Sequence, residues 1–199
     1  MLCLVTATDP GWAERAVDEL PLLLADHAHC EMKAASNALS LAARLPEHPS
    51  ICRTLVALAK EELEHYDAVL AELERRQIHL PPPAVDSYAA DLRAAARREG
   101  RPSLQEALTD RFLVAALIEA RSCERLSLIA KALATRGETA LALFYDDLFA
   151  SEARHYTTFV DLAIALSGDE PRVRARLNSL AAAEGAIAAR LGHLPAVHG

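Results

Sequence analysis

The sequence predicts an all-α protein, a four-helix bundle with a long crossover between its halves and an extra C-terminal helix. Three observations lead there. The composition is 52% hydrophobic with only 5% aromatic residues and 7 Gly, and Ala and Leu dominate it, which suits packed helices better than the β-branched and aromatic usage of sheets. Apolar residues recur at steps of three and four over stretches much longer than a strand. The 10 prolines gather in short segments such as Pro81-Pro82-Pro83, so they punctuate long tracts without interrupting them. A chain of 199 residues is long enough to enclose an internal site within one domain.

Each element has its own signal. Residues 1–12 read as a short apolar arm, extended through Leu2, Cys3, Leu4 and Val5, with a turn at Asp9-Pro10-Gly11. A helix opens near Trp12 and breaks near Pro21. The bundle then spans about 22–167. Its first helix, about 22–44, carries Leu24, Ala28, Glu31, Ala35, Ala38 and Ala42 on one stripe. Glu47-His48-Pro49 is a loop, and Pro49 is suited to the first turn of a second helix, about 50–76, because its missing N–H is not needed there. The second stripe is Leu55, Leu58, Ala59, Glu62, His65, Tyr66 and Val69. Residues 77–103 are the crossover: Pro81-Pro82-Pro83 begins it, a basic run from Arg93 to Arg101 follows, and Gly100 and Pro102 close it. Ser103 with Glu106 forms a capping box for a third helix, about 104–135. The fourth runs from about 138 to 167 and stops at Gly168. An Ala-rich helix of about 171–191 packs outside the bundle.

The chemistry lies in a pattern that occurs twice. Glu62-x-x-His65 and Glu152-x-x-His155 both fall on apolar stripes. A step of three residues returns about 300° around a helix, so each Glu and His share a face. A carboxylate facing a core is costly unless it is paired or bound to metal. One more glutamate sits upstream of each pair. In the first half it is Glu31, surrounded on the wheel by Ala28, Ala34, Ala35 and Ala38. In the second half Glu119 and Glu124 compete. Glu119 has the more apolar neighbours, including Phe112, Ala115, Ala116 and Cys123, and lies 33 residues before Glu152, against 31 from Glu31 to Glu62 and 28 for Glu124. Glu119 is the preferred ligand, and Glu124 is read as an outer partner or an ion-pair residue. Two Glu-x-x-His pairs and two lone glutamates on four helices form the ferritin-like carboxylate site for two metal ions. Mixed carboxylate and imidazole donors favour iron or manganese over structural zinc. His27 and His29 are read as hydrogen bonders at a helix end, with contact to a metal ligand or to substrate as the alternative, and Tyr66 and Tyr156 as packing beside the site. Phe112, Phe144, Phe149 and Phe159 are core positions, of which Phe112, Phe149 and Phe159 are available to wall an apolar substrate pocket.

Composition narrows the function further. A net charge of -7 argues against extensive nucleic-acid binding surfaces. The four cysteines, Cys3, Cys30, Cys52 and Cys123, contain no C-x-x-C and no disulfide-like spacing, as expected in a reducing compartment. No signal-like leader and no apolar run of membrane-spanning length occur. A cytoplasmic protein without a membrane partner is expected.

Four strings carry a family likeness: Asp26-His27-Ala28-His29-Cys30-Glu31-Met32-Lys33-Ala34-Ala35-Ser36, Lys60-Glu61-Glu62-Leu63-Glu64-His65, Ala120-Arg121-Ser122-Cys123-Glu124-Arg125 and Ala150-Ser151-Glu152-Ala153-Arg154-His155-Tyr156. Together they resemble the MiaE-type tRNA hydroxylases over most of the chain. That family is similar to the ferritin-like di-iron monooxygenases, and its members hydroxylate the isopentenyl group of 2-methylthio-isopentenyl-adenosine next to the anticodon. The resemblance implies that Glu31, Glu62, His65, Glu119, Glu152 and His155 hold two irons that activate dioxygen. It also implies a tRNA substrate and an external reductase and electron carrier, since the chain has no flavin or iron–sulfur motif. The basic residues Arg93, Arg97, Arg98 and Arg101, with Arg111 just beyond, would then reconcile an acidic chain with tRNA. The alternatives are iron oxidation and storage or peroxide reduction, as in ferritins and rubrerythrins, and a metal-free helical adaptor; rubrerythrins usually add a C-x-x-C module that this sequence lacks.

Overall fold

The computed structural model describes residues 2–191 and 194–197, and among them there are seven helices and no strand. The chain divides into two compact units, Glu19–Val85 and Met1–Asp18 with Asp86–Gly199.

The first of these units is a helical hairpin of α2 (Leu20–Ala42) and α3 (Pro49–Arg75). Pro21 and Pro49 stand in the first turns, where a helix has N–H groups to spare. Helix α2 therefore begins at Leu20, two residues before the expected start, with Pro21 inside it. The connecting loop buries Leu45, whose carbonyl accepts the Cys52 thiol proton at 3.0 Å. Beyond α3 the chain reverses at Gln77, which adopts a left-handed φ of 57°. The His29 ring then donates from Nε2 to the Pro81 carbonyl at 2.8 Å and ties the proline segment back to α2.

The second unit contains α1 (Trp12–Asp18), α4 (Ser87–Ala95), α5 (Leu104–Thr135), α6 (Thr139–Ser167) and α7 (Glu170–Leu191). Helices α5 and α6 form its central hairpin; α1 packs on α5, while α7 packs on α4, α5 and α6. The capping box is formed as expected, with the Glu106 N–H donating to Ser103 Oγ at 3.2 Å and the Ser103 N–H to Glu106 Oε2 at 3.0 Å. Gly168 ends α6 in the left-handed conformation at φ 70°, where any other residue would be strained.

Two features depart from the sequence expectation. The crossover contains α4, capped by Asp86, which accepts the Ala89 N–H at 2.9 Å, with Tyr88 and Leu92 fully buried. Nine residues are too few to show a clear helical period beside a basic run. Helix α7 does lie outside the α5–α6 hairpin, but it reaches into the core. Glu184 is 0% exposed and takes two bonds from the equally buried Arg121, Nε to Oε1 at 2.8 Å and Nη2 to Oε2 at 2.9 Å, and a third from the Tyr88 hydroxyl at 2.8 Å. Burial pulls the Arg121 guanidinium down, and the Glu184 carboxylate more than offsets that and holds it above its ordinary value. One turn on, Arg125 stacks over the Trp12 ring at 4.7 Å and donates to the Ala196 and Val197 carbonyls at 3.0 and 2.8 Å. With no carboxylate among the described residues bonded to it, its pKa is pushed down by burial, and further by Arg121, to about 10.

The same residues fasten the N-terminal arm. Arg121 Nη2 donates to the Thr6 carbonyl at 3.0 Å, and Thr8 donates to Glu124 from its N–H at 3.0 Å and its hydroxyl at 2.7 Å. The arm comes so close to α7 that a Cβ on Gly185 would meet Thr6 Oγ1 at 2.5 Å. Only glycine fits there.

Candidate metal centre

In the α2–α3 hairpin, Glu31 comes from α2 and the Glu62/His65 pair from α3. Glu62 is 1% exposed and Glu31 is buried. His65 Nδ1 lies 3.5 Å from Glu31 Oε2 and 3.5 Å from Glu62 Oε2, and one donor atom from each of the three lies within 4.8 Å of the others. The other Glu31 oxygen, Oε1, is 2.7 Å from His27 Nε2. His27 is therefore not a helix-end hydrogen bonder but follows the alternative reading, a contact with a ligand candidate. It stands four residues before Glu31, well inside a helix that starts at Leu20, and is buried. The i,i+4 spacing was the available signal for this contact.

The α5–α6 hairpin repeats the set. Glu119, Glu152 and His155 are all buried, with one donor atom from each within 4.8 Å of the others and His155 Nδ1 3.7 Å from Glu152 Oε2. Glu124 has a different place: both its oxygens accept from Thr8, and Arg121 forms an ion pair with it. It serves the arm, while Glu119 faces the same locus as the Glu152/His155 pair. Each hairpin thus presents two buried carboxylates and one imidazole, half-buried at His65 and buried at His155, in a cluster that could hold a metal ion.

The residues around the second set are apolar and unreactive. Phe112 and Phe159 are buried with ring centroids 6.3 Å apart. Each stands seven residues from a cluster glutamate, Phe112 before Glu119 and Phe159 after Glu152, hence on the same helix face. Phe149 does not join them: it is 42% exposed, and Phe144 is half-buried against Tyr145 at 5.6 Å. The Cys123 thiol, pushed up to about 12 by burial and by the Glu152 charge, stays protonated. Tyr156 turns its hydroxyl to Cys3.

Sequence reasoning missed Arg121, Arg125 and Glu184. On the helical wheel Arg121 reads as part of the polar face beside Glu124, and the carboxylate that pairs with it in the core is 63 residues away. The one available sign is a pair of arginines four apart within a mostly apolar stretch of α5, residues 112–133.

Comparison with known proteins agrees with this architecture. Residues 2–199 match the family model described as tRNA-(MS[2]IO[6]A)-hydroxylase (MiaE). A Pseudomonas putida protein named tRNA 2-(methylsulfanyl)-N(6)-isopentenyladenosine(37) hydroxylase is 39% identical over 89% of this chain and 82% of its own length. A Salmonella typhimurium protein of the same name is 30% identical over 85% of this chain and 78% of its own length. A solved Synechococcus protein described as having aldehyde deformylating oxygenase activity superposes with a TM-score of 0.86 at 36% identity, covering 100% of this chain and 96% of that one. The fold is that of the ferritin-like oxygenases, and the chain belongs to the MiaE family of tRNA hydroxylases.

Proposed function

We propose that the protein hydroxylates the isopentenyl group of 2-methylthio-isopentenyl-adenosine in tRNA. Two iron ions would be held by Glu31, Glu62 and His65 from one hairpin and Glu119, Glu152 and His155 from the other. The observation that carries this is the doubled set of two buried carboxylates and one imidazole in a chain whose relatives are named as tRNA hydroxylases. The donor set fits the metal: oxygen and nitrogen ligands without thiolate suit non-haem iron, and carboxylates this deeply buried call for cations. When bound, such a centre activates dioxygen for insertion into an unactivated C–H bond, with electrons from an external donor. Iron storage or peroxide reduction is not favoured by the names of these relatives.

The protein's own groups have separate tasks. His27 holds Glu31 through Oε1 and leaves Oε2 on the side of His65. Phe112 and Phe159 supply a dry apolar surface on the face that carries Glu119 and Glu152, suited to a small branched hydrocarbon and closed to water. Cys123, kept protonated, does not compete as a thiolate ligand. Among the described residues no helix is long and apolar enough to cross a membrane, and a tRNA substrate makes the cytoplasm the proposed location.

The direct test supplies iron-loaded protein with dioxygen, a reductant and tRNA from a host lacking the gene, then measures the nucleosides by mass spectrometry. Conversion of the isopentenyl nucleoside to a species one oxygen heavier is expected. An unchanged nucleoside in the presence of fully loaded protein would overturn the reading. A second expectation concerns His27. Partners that orient a ligand contribute about 10–100-fold to metal affinity, so His27→Ala should weaken ferrous iron binding by that factor and His27→Asn should restore part of it. Titration showing wild-type affinity for His27→Ala would remove the residue from the site.

A further inference from the structure

Helix α4, the loop 96–103 and the first turns of α5 enclose a cleft of about 420 Å³, within the size range of small-ligand sites. Its floor is apolar, made by Ala96, Pro102, Ala107 and Val114, and its charged lining is Arg93, Arg97, Arg98 and Arg111 against a single carboxylate, Asp110. In a chain of net charge -7, four arginines around one cleft are a local reversal of sign. The structure also sorts them. Arg98 is occupied: its Nε and Nη2 donate to Asp110 at 2.7 and 2.8 Å, and Arg176 holds the same carboxylate from α7. Asp110 is therefore neutralised from both sides and does not oppose an anion. Arg93 and Arg97 are exposed and make no ion pair with any described residue. Arg101 does not line the cleft.

An apolar floor with a planar, cationic rim is the chemistry that receives an unstacked nucleotide. The base lies on apolar and guanidinium surfaces, and the flanking phosphates meet the arginines. Position supports this. Arg111 precedes Glu119 by eight residues on one helix, about 12 Å along its axis at 1.5 Å per residue. The α5 residues that line the cleft, Ala107, Asp110, Arg111 and Val114, face roughly 130° away from Glu119 around the helix, so a nucleotide seated there lies a few backbone steps from the α5–α6 ligand set. We infer that this cleft is a second recognition site, which binds a single-stranded nucleotide of the tRNA substrate a few positions from the one that reacts, with Arg93 and Arg97 pairing its phosphates. This rests on the tRNA reading of the proposed function and adds to it the place and mode of binding.

The experiment measures binding of an unmodified anticodon stem-loop RNA by fluorescence anisotropy over a range of salt. It compares wild type, Arg93→Ala/Arg97→Ala, and Ala107→Phe, which fills the floor without changing charge. Turnover of the free modified nucleoside and ferrous iron binding are measured in parallel. For the arginine variant, RNA affinity should fall about tenfold and the slope of log K against log salt should become shallower by roughly 0.7 for each single-strand phosphate no longer neutralised. Ala107→Phe should weaken RNA binding at an unchanged salt slope. Iron binding and nucleoside turnover should stay at wild-type level in both. Unchanged RNA affinity in the two variants overturns the proposal, as do equal losses on RNA and free nucleoside, which would assign the crossover a folding role. An effect of the arginines without one from Ala107→Phe overturns the seated base and reduces the cleft to a phosphate-binding rim. Wild-type protein that hydroxylates neither tRNA nor nucleoside is a failure of the proposed function instead, and is seen separately from the variants.

Discussion

Glu119→Ala should abolish tRNA hydroxylation and cost more than the 10–100-fold in iron affinity that an outer-partner substitution causes, while Glu124→Ala should leave both close to wild type. The two glutamates are five residues apart on α5 and have entirely different surroundings. Glu119 is buried with Glu152 and His155. Glu124 is bound by Thr8 and Arg121, so its loss should appear as a lower melting temperature from a loosened arm. Anaerobic titration with ferrous iron, followed by single-turnover assays, separates the cases. Full iron loading in Glu119→Ala, or loss of iron in Glu124→Ala, would reverse the ligand assignment.

The largest effect on stability is expected at Glu184. Removing one partner of a buried ion pair costs about 3–5 kcal/mol, and Arg121 would then keep only the half-buried Glu124 as counter-charge. For a chain of this size each kcal/mol moves the melting temperature by roughly 2–4 °C, so Glu184→Ala should melt roughly 6–20 °C lower. The Tyr88 hydroxyl loses its acceptor in the same variant. The double variant Arg121→Met/Glu184→Leu removes both charges and should recover most of the loss, because well-packed apolar replacements of buried pairs are often neutral. Thermal unfolding followed by circular dichroism decides this. A Glu184→Ala protein melting within about 1 °C of wild type would show that the existing pair with Glu124 compensates Arg121 by itself.

The metal-ligand candidates and the buried ion pair differ in how openly the sequence declares them. The ligand candidates are legible because their signals are local: a Glu and a His three apart on an apolar stripe, and a capping box that places the start of α5 at Leu104. The pattern also separates Glu119 from Glu124, since their neighbours on the wheel differ in polarity. The Arg121–Glu184 pair is not legible, because a rule that places charge outside assigns both residues to solvent, and only the tertiary fold brings α7 to α5. Phe149 fails in the opposite sense. An aromatic residue in a helix is expected to face inward, and a three-residue step brings Phe149 within about 60° of buried Glu152, yet it is 42% exposed. Helix α4 is hidden by brevity, and the true role of His27 by a helix that starts earlier than its apolar stripe suggests.

The contact between Arg121 and Glu184 also has a consequence in time. The α2–α3 unit is one continuous stretch, so all of its ligand candidates leave the ribosome together and can pack as soon as residue 85 has emerged. The other unit draws on residues 1–18 and on everything after 85, and Arg121 must wait for a carboxylate 63 residues downstream. At 5–20 residues per second that wait is roughly 3–13 s. Arg125 waits slightly longer, for the carbonyls of Ala196 and Val197, and Trp12 waits nearly three times as long, for a carbonyl 182 residues downstream at Leu194. During synthesis the half of the ligand set on α2–α3 is therefore ready first, and the half on α5–α6 is completed only as the last helix arrives.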